Sequence, residues 1–127
     1  MTIDIIKCEF TICQIDSIEQ VDFSQEFVFL SKTADEISLV CETCYVPQNV
    51  IACNHGWKVL KVSGVLEFDT VGVIAKIANI LTSVDISIFV VSTYNTAYIL
   101  LKSEALDKGV QALTQNGYES RGTVPSP

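Results

Sequence analysis

Four residues near the middle of the chain have the side chains that bind zinc or carry out thiol redox chemistry. Cys41 and Cys44 form a C-x-x-C pair, and Cys53 and His55 follow shortly after. Together they would supply four zinc ligands, and a C-x-x-C pair alone is typical of redox centres. The spacing between the pairs is short, and Cys41 ends an apolar run in which a thiol packs as a small hydrophobic group. We predict packing and exposure for these thiols and no metal site, with zinc and redox use as the alternatives.

A second group, from Asp69 to Val73, has the composition of a helix start that binds an anion. Asp69 stands at the expected N-cap, and Gly72 follows in the first turn. A helix N-terminus presents unpaired amides and a partial positive charge, and glycine lets a carboxylate approach the backbone closely. The carboxylate of an amino acid fits such a site. The alternative is that Asp69 only caps the helix and Gly72 only permits close packing on a sheet.

The polar segment Ser92-Thr93-Tyr94-Asn95 is predicted to be a turn between two strands. Its hydroxyls and backbone edge would suit the amino group of a ligand. The alternative is a turn alone, with Tyr94 over the edge of the core. No catalytic constellation accompanies it, because the chain has a single histidine and neither a P-loop nor a dinucleotide fingerprint. We therefore predict no enzymatic activity and no cofactor.

The elements that would position these residues are clearest in the second half of the chain. Alternating residues predict a strand at 57–66, and the apolar spacing of 70–83 predicts a helix with a polar stripe through Lys76, Asn79 and Ser83. A hairpin is predicted from 86–91 and 97–101. A second helix, capped by Ser103, would stop at Asn116-Gly117. A short strand from Tyr118 and a disordered tail at 121–127 complete this half.

The first half repeats this order in reduced form. Strands are predicted near 5–15, 27–30 and 37–42, with a helical turn at 17–21. The segment 47–53 is the only place for a second helix. We infer an internal duplication with a degenerate first copy, which divides the chain into 1–56, 57–120 and the tail.

Composition and charge restrict the partners. The chain has 127 residues, 49% of them hydrophobic, and a net charge of -7. Nucleic acids and anionic membranes select basic surfaces, so neither is an expected partner. The acidic excess lies in the first half, either as a solvated face or as a docking surface for a basic partner. No apolar run is long enough to span a bilayer, and no secretory signal is recognised, so we expect a cytoplasmic protein with reduced thiols.

Three motifs resemble the small tandem ACT-domain proteins, a family related to modules of animal cytosolic arginine sensors. The first two are the runs 64–75 and 86–94, and the third is 33–40, which matches the family's Thr-x-Asp-Glu-x-Ser-x-Val element. The resemblance extends from about Phe27 to Gly117. It implies an α+β fold of ferredoxin-like βαββαβ units in tandem, the first copy reduced. It also implies that a small metabolite, such as an amino acid, binds where two units meet, and that the protein forms a homodimer.

The resemblance also indicates where the ligand would bind. Ser38 and Leu39 match the strand that touches the ligand in the sensors, Gly72 and Val73 match the helix start, and the turn at 93–94 matches the strand end facing it. The candidate ligand-binding residues are Ser38, Leu39, Asp69, Thr70, Gly72, Val73, Thr93, Tyr94 and Asn95.

Two departures from the family pattern bear on the ligand. The sensors carry acidic residues at the positions of Thr70 and Ala97. An unpaired guanidinium in a closed site is costly, so the sequence predicts an amino acid with an uncharged side chain and not arginine. A protein-interaction module that docks a partner through its acidic first half is the alternative function.

Overall fold

The computed structural model describes residues 1–63 and 72–124, which contain seven strands, two α-helices and three short 3-10 turns. The strands are β1 (Thr2–Ile15), β2 (Val28–Lys32), β3 (Ile37–Glu42), β4 (Ala52–Val62), β5 (Ile88–Ser92), β6 (Ala97–Lys102) and β7 (Glu119–Val124). The helices are α1 (Val73–Thr82) and α2 (Leu106–Gln115), and the 3-10 turns are Ile18–Gln20, Thr43–Tyr45 and Ser103–Ala105. None of the helices in the described part of the chain has the length and apolarity needed to cross a membrane.

Two compact units share these elements. The first comprises Met1–Lys7 and the chain from Lys58 onward, and the second is Cys8–Trp57. The mixed strands and helices confirm the predicted α+β, ferredoxin-like fold class. The tandem arrangement and the domain boundaries drawn from the sequence remain predictions.

In the first unit the strand order is β5-β6-β4-β1-β7, and α1 and α2 pack against each other. The start of β1 therefore lies between β4 and β7. It belongs there because Ile3 is fully buried in the core of this unit and Thr2–Asp4 pair in parallel with Glu119–Arg121. The core consists of side chains from both helices, from the three strands β1, β4 and β6, and from the segments that precede β5 and β7: Ile3, Leu60, Val62, Ile77, Leu81, Ile86, Ala97, Ile99, Leu101, Leu113 and Tyr118.

The second unit is built on a three-stranded antiparallel arrangement. β3 pairs with β2 from Val28↔Cys41 to Lys32↔Ile37, and with β1 from Phe10↔Glu42 to Ile15↔Ile37. The predicted helical turn is present as a 3-10 turn, for which Ser17 and Gln20 form a capping box. The small core comprises Cys13, Ile15, Val21, Leu39 and Cys41.

The prediction of a second helix at 47–53 is wrong. The chain instead forms the 3-10 turn Thr43–Tyr45, passes through bends and enters β4 at Ala52. The apolar residues of this segment, Val50 to Cys53, are consecutive and do not recur at helical spacing, so a helix there would have no single buried face.

The start of α2 and the end of β7 differ from the predicted boundaries. α2 begins at Leu106, after the 3-10 turn Ser103–Ala105, with Ala105 and not Ser103 at its N-cap. β7 continues to Val124, so residues 121–124, expected in a disordered tail, are in a strand. Parallel pairing with β1 and a bidentate ion pair hold this strand, with Arg121 Nε 2.6 Å from Asp4 Oδ1 and Arg121 Nη2 3.0 Å from Asp4 Oδ2.

Candidate ligand-binding site

A pocket of about 500 Å³ opens in the first unit between the start of α1 and the end of α2. α1 contributes its N-cap and one face of its first two turns, and the segment after α2 forms the opposite wall. The lining residues are Met1, Gly72, Val73, Lys76, Asn79, Ile80, Asn116, Gly117 and Tyr118. The volume is within the range of small-molecule sites.

Gly72 gives the wall at the start of α1 its special backbone. It is the N-cap of α1 with φ of 79° and ψ of 5°, a left-handed conformation that glycine adopts without strain. The first helical hydrogen bond runs from the amide of Lys76 to the carbonyl of Gly72 at 2.8 Å. The amides of the first turn have no partner within the helix, and Gly72 has no side chain to cap them. They remain suited to an anionic ligand group.

The opposite wall is the end of α2, where hydrogen bonds fix the chain reversal. The side-chain Nδ2 of Asn116 donates to the carbonyl of Ala112 at 2.8 Å. The amides of Gly117 and Tyr118 donate to the carbonyls of Thr114 and Leu113, both at 3.1 Å. These bonds hold the C-terminal end of α2 against the pocket. That end carries a partial negative charge, which favours a cationic ligand group.

Lys76 sets the formal charge of the pocket. Among the lining residues that the structure describes it is the one with a charged side chain, and it is exposed on α1 one turn after Gly72. A lysine beside the first-turn amides of a helix attracts a carboxylate and repels a cationic side chain. The described walls therefore favour an anionic group at the start of α1.

Two of the predicted site residues, Gly72 and Val73, line this pocket. Asp69 and Thr70 lie outside the described residues. Asp69 was expected at the N-cap of α1, but Gly72 occupies that position. The helix described begins at Val73 because the left-handed Gly72 precedes it.

The polar turn does not line the pocket. The amide of Thr93 donates to the carbonyl of Thr96 at 2.8 Å, which closes the predicted hairpin between β5 and β6. The hydroxyl of Thr96 donates to the carbonyl of Val62 at 2.6 Å, so the turn lies beside the end of β4. Thr93, Tyr94 and Asn95 are exposed, and 80% of the surface of Tyr94 is accessible to solvent. Their role in binding stays a prediction.

The remaining predicted positions belong to β3 of the second unit and to the core of the first. Leu39 is fully buried among apolar side chains, so its side chain does not reach a surface ligand in this structure. The hydroxyl of Ser38 donates to Glu36 Oε1 at 3.0 Å. Ala97, where the sensors carry an acid, is 1% exposed and packs in the core.

Several lining residues were missed by the sequence analysis. Lys76 and Asn79 were interpreted as the solvated stripe of α1, and Asn116 and Gly117 as a helix stop. The lysine one turn after the expected helix start was an available signal. No sequence signal indicated that the residues after α2 would line the pocket, because their position depends on how the two helices pack.

The cysteines are distributed between the core and the surface of the second unit. Cys13 and Cys41 are buried, whereas Cys44 and Cys53 are exposed, and none of the five cysteines, all within residues 1–63, forms a disulfide. Burial, followed by the charge of the Cys13 thiolate, raises the pKa of Cys41 to about 12. Residues 1–63 and 72–124 contain no cluster of three or more His, Cys, Asp or Glu side chains that could hold a metal ion.

Comparison with known proteins identifies a family. Residues 52–115 match the family model of the ACT domain, and this segment is just over half of the chain. No curated protein matches the chain. The matched segment begins with β4 and contains both helices and the β5–β6 hairpin.

Solved structures share the fold. A crystal structure of a protein from Agrobacterium tumefaciens is 27% identical, with a TM-score of 0.85 over 99% of this chain and 96% of that one. An aspartate kinase from Clostridium acetobutylicum, described as an allosteric enzyme, is 14% identical, with a TM-score of 0.63 over 86% of this chain and 33% of the kinase. A domain from Porphyromonas gingivalis, described as a C-terminal regulatory domain of aspartate kinase, is 18% identical, with a TM-score of 0.53 over 89% and 92%.

Proposed function

This chain belongs to the ACT domain family, and on that premise we propose that it is a regulatory module without catalytic activity that binds an amino acid. ACT domains are regulatory, ligand-binding modules. The resemblance to regulatory parts of aspartate kinases supports the same role at the level of the fold. The ligand would bind in the pocket between the start of α1 and the end of α2.

The observation that carries this proposal is the polarity of the two pocket walls. One wall has the start of α1 and the ammonium of Lys76, and the other is the segment Asn116, Gly117 and Tyr118, which directly follows the carbonyl end of α2. An amino acid has a carboxylate and an ammonium group joined by one carbon. We place the carboxylate at the start of α1 and the ammonium toward α2, because each pole then faces the opposite partial charge.

We expect amino acids with uncharged side chains to raise the melting temperature of the wild-type protein, since a ligand of the folded state stabilises it by mass action. The test variant is Gly72→Val, which places a branched side chain at the pocket wall. Its control is Gly56→Val. Gly56 and Gly72 have similar positive φ values of 85° and 79°, and a Cβ added at either meets no atom of the described residues within 4 Å.

Both variants should lose stability, because a left-handed backbone costs an L-residue about 1–2 kcal/mol. Only Gly72→Val should also lose the ligand-induced shift, since Gly56 does not line the pocket. Differential scanning fluorimetry with millimolar amino acids measures both effects. A wild-type protein that no amino acid stabilises, or a Gly72→Val variant that keeps the full shift, would contradict the proposal.

A second candidate function rests on the surface of the second unit. Asp16, Glu19, Asp22 and Glu26 are exposed there, together with 63% of the surface of Phe23. Exposed acidic groups and an exposed aromatic side chain in one segment of the chain suit a basic partner protein. Binding of such a partner should weaken with salt and should not respond to amino acids.

We further propose that the protein forms a homodimer. In the first unit β5 is the outermost strand of the order, and Phe89 and Val90 are each 37% exposed on it. An edge strand with apolar side chains favours pairing with a second copy, as ACT domains dimerise. Light scattering at micromolar concentration should give about twice 13.9 kDa.

The variant Phe89→Lys should shift this dimer toward the monomer, because a lysine on an edge strand opposes strand pairing. Phe23→Lys is its control, since Phe23 is an exposed phenylalanine of the second unit. A monomeric wild-type protein, or a dimer that only Phe23→Lys disrupts, would show that β5 is not the interface.

A further inference from the structure

A thiol and an imidazole lie side by side on the second unit. Cys53 Sγ is 3.1 Å from His55 Nε2, a hydrogen-bonding distance for sulfur. Both residues belong to β4, two positions apart, so their side chains leave the strand on the same face. Both are also exposed. A small reagent in solution can therefore reach the sulfur while the imidazole stands beside it.

A buried hydroxyl orients this imidazole. His55 Nδ1 is 2.9 Å from Thr11 Oγ1, and Thr11 is fully buried. Thr11 Oγ1 is also 2.9 Å from Thr43 Oγ1. When the Nδ1 proton is donated to Thr11, whose own proton goes to Thr43, the lone pair of Nε2 faces the thiol. The same arrangement suits the protonated imidazole, which would donate from both nitrogens.

The other thiols of this unit differ from Cys53. Burial raises the pKa of Cys13, and the neighbouring Cys53 thiolate raises it further. Burial likewise raises that of Cys41. Both thiols are therefore protonated at neutral pH and shielded. Cys44 is exposed, but the chain has a single histidine and that residue faces Cys53. Cys44 is therefore the comparison thiol: it is exposed like Cys53, but the histidine lies beside Cys53.

We propose that Cys53 is a modification site that undergoes thiol–disulfide exchange with small-molecule disulfides, with His55 as its base and Thr11 as a positioning residue. The thiol proton moves to His55 Nε2, and the thiolate attacks one sulfur of the disulfide. A bond forms between Cys53 Sγ and that sulfur, and the original S–S bond breaks. The second half leaves as a thiolate and takes up a proton, so the small disulfide is reduced as Cys53 becomes a mixed disulfide. This proposal does not rest on the proposed amino-acid site.

The test measures exchange in the native full chain with 5,5′-dithiobis(2-nitrobenzoic acid) at pH 7, followed by peptide mass spectrometry after oxidised glutathione. We expect one fast thiol, mapped to Cys53, ahead of Cys44 and far ahead of Cys13 and Cys41. A free thiol is only a few per cent thiolate at pH 7, so a neighbouring base can raise the thiolate fraction. A more readily formed thiolate is also a weaker nucleophile, which limits the gain in rate. The expected advantage over Cys44 is therefore about five- to tenfold.

Variants separate the roles. Cys53→Ser should abolish the fast phase, and Cys44→Ser should leave it unchanged. His55→Gln should slow Cys53 to about the rate of Cys44, and Thr11→Val should slow it by an intermediate factor with an unchanged circular dichroism spectrum. A fast phase that persists in Cys53→Ser, or a rate at Cys53 that is unaffected in His55→Gln, would overturn the proposal. Circular dichroism of His55→Gln checks that any slowing does not reflect unfolding.

Discussion

Replacement of Gly109 by valine is expected to lower the free energy of unfolding by about 3 kcal/mol. Gly109 is buried in α2, where the helix contacts the sheet and α1. A Cβ added there would lie 2.8 Å from Leu101 Cδ1 and 3.4 Å from both Ile86 Cδ1 and Leu81 Cδ2. Leu81 and Leu101 are themselves fully buried, so neither can move away without displacing other core atoms.

The matched control is Gly122→Val in β7. Within the part of the chain that the structure describes, a Cβ at Gly122 meets no atom within 4 Å, and a β-branched residue favours an extended strand. This variant should change the unfolding free energy by less than about 0.5 kcal/mol. Urea denaturation followed by far-ultraviolet circular dichroism compares the two. Equal stabilities for Gly109→Val and the wild type would show that α2 can shift away from β6 at little cost.

The same contact explains part of what the sequence could predict. The apolar spacing of α1 predicts which face is buried, and Ile77 and Leu81 are the residues that the structure buries there. Gly109, by contrast, looks unfavourable within a helix. The structure explains why a glycine stands here, because α2 lies too close to Leu101 on β6 for a larger residue. No local sequence pattern reveals this distance.

Non-local pairing also limited the prediction of the fold. Local alternation identified the strands of the β5–β6 hairpin, because the hairpin partners are close in sequence. The parallel pairing of Thr2–Asp4 with Glu119–Arg121 joins the two ends of the chain. No feature within either segment specifies this partner, which is why residues from Arg121 onward were expected to be a tail.

The candidate sites show the same division. The sequence located Gly72 and Val73 from local helix-start chemistry, and the structure adds Lys76 and the end of α2. Cys53 and His55 were noticed as metal-ligand types. Their orientation depends on Thr11, 44 positions from His55 in the chain. Residue type therefore suggested chemistry, while tertiary packing determined which atoms meet.

The largest binding effect we expect is discrimination against arginine. If the pocket binds amino acids, one with an uncharged side chain should bind at least about a hundredfold more tightly. Thr70 and Ala97 stand where the arginine sensors have acids, so neither position supplies a charge to a guanidinium. A charge-assisted hydrogen bond contributes about 1.5–3 kcal/mol, so two missing partners account for this factor. Lys76 adds repulsion.

Isothermal titration with alanine, the branched-chain amino acids, serine, glutamine and arginine tests this order, and an amidated ligand should bind far more weakly because it lacks the carboxylate. Lys76→Glu should weaken the uncharged ligands and narrow their advantage over arginine. Lys108→Glu is the control, since it makes the same change of charge on an exposed part of α2 outside the pocket lining. Arginine as the tightest ligand of the wild type would contradict the prediction, because a carboxylate would then have to face its guanidinium. Equal effects of the two lysine substitutions would show that net charge, and not the position of Lys76, controls the binding.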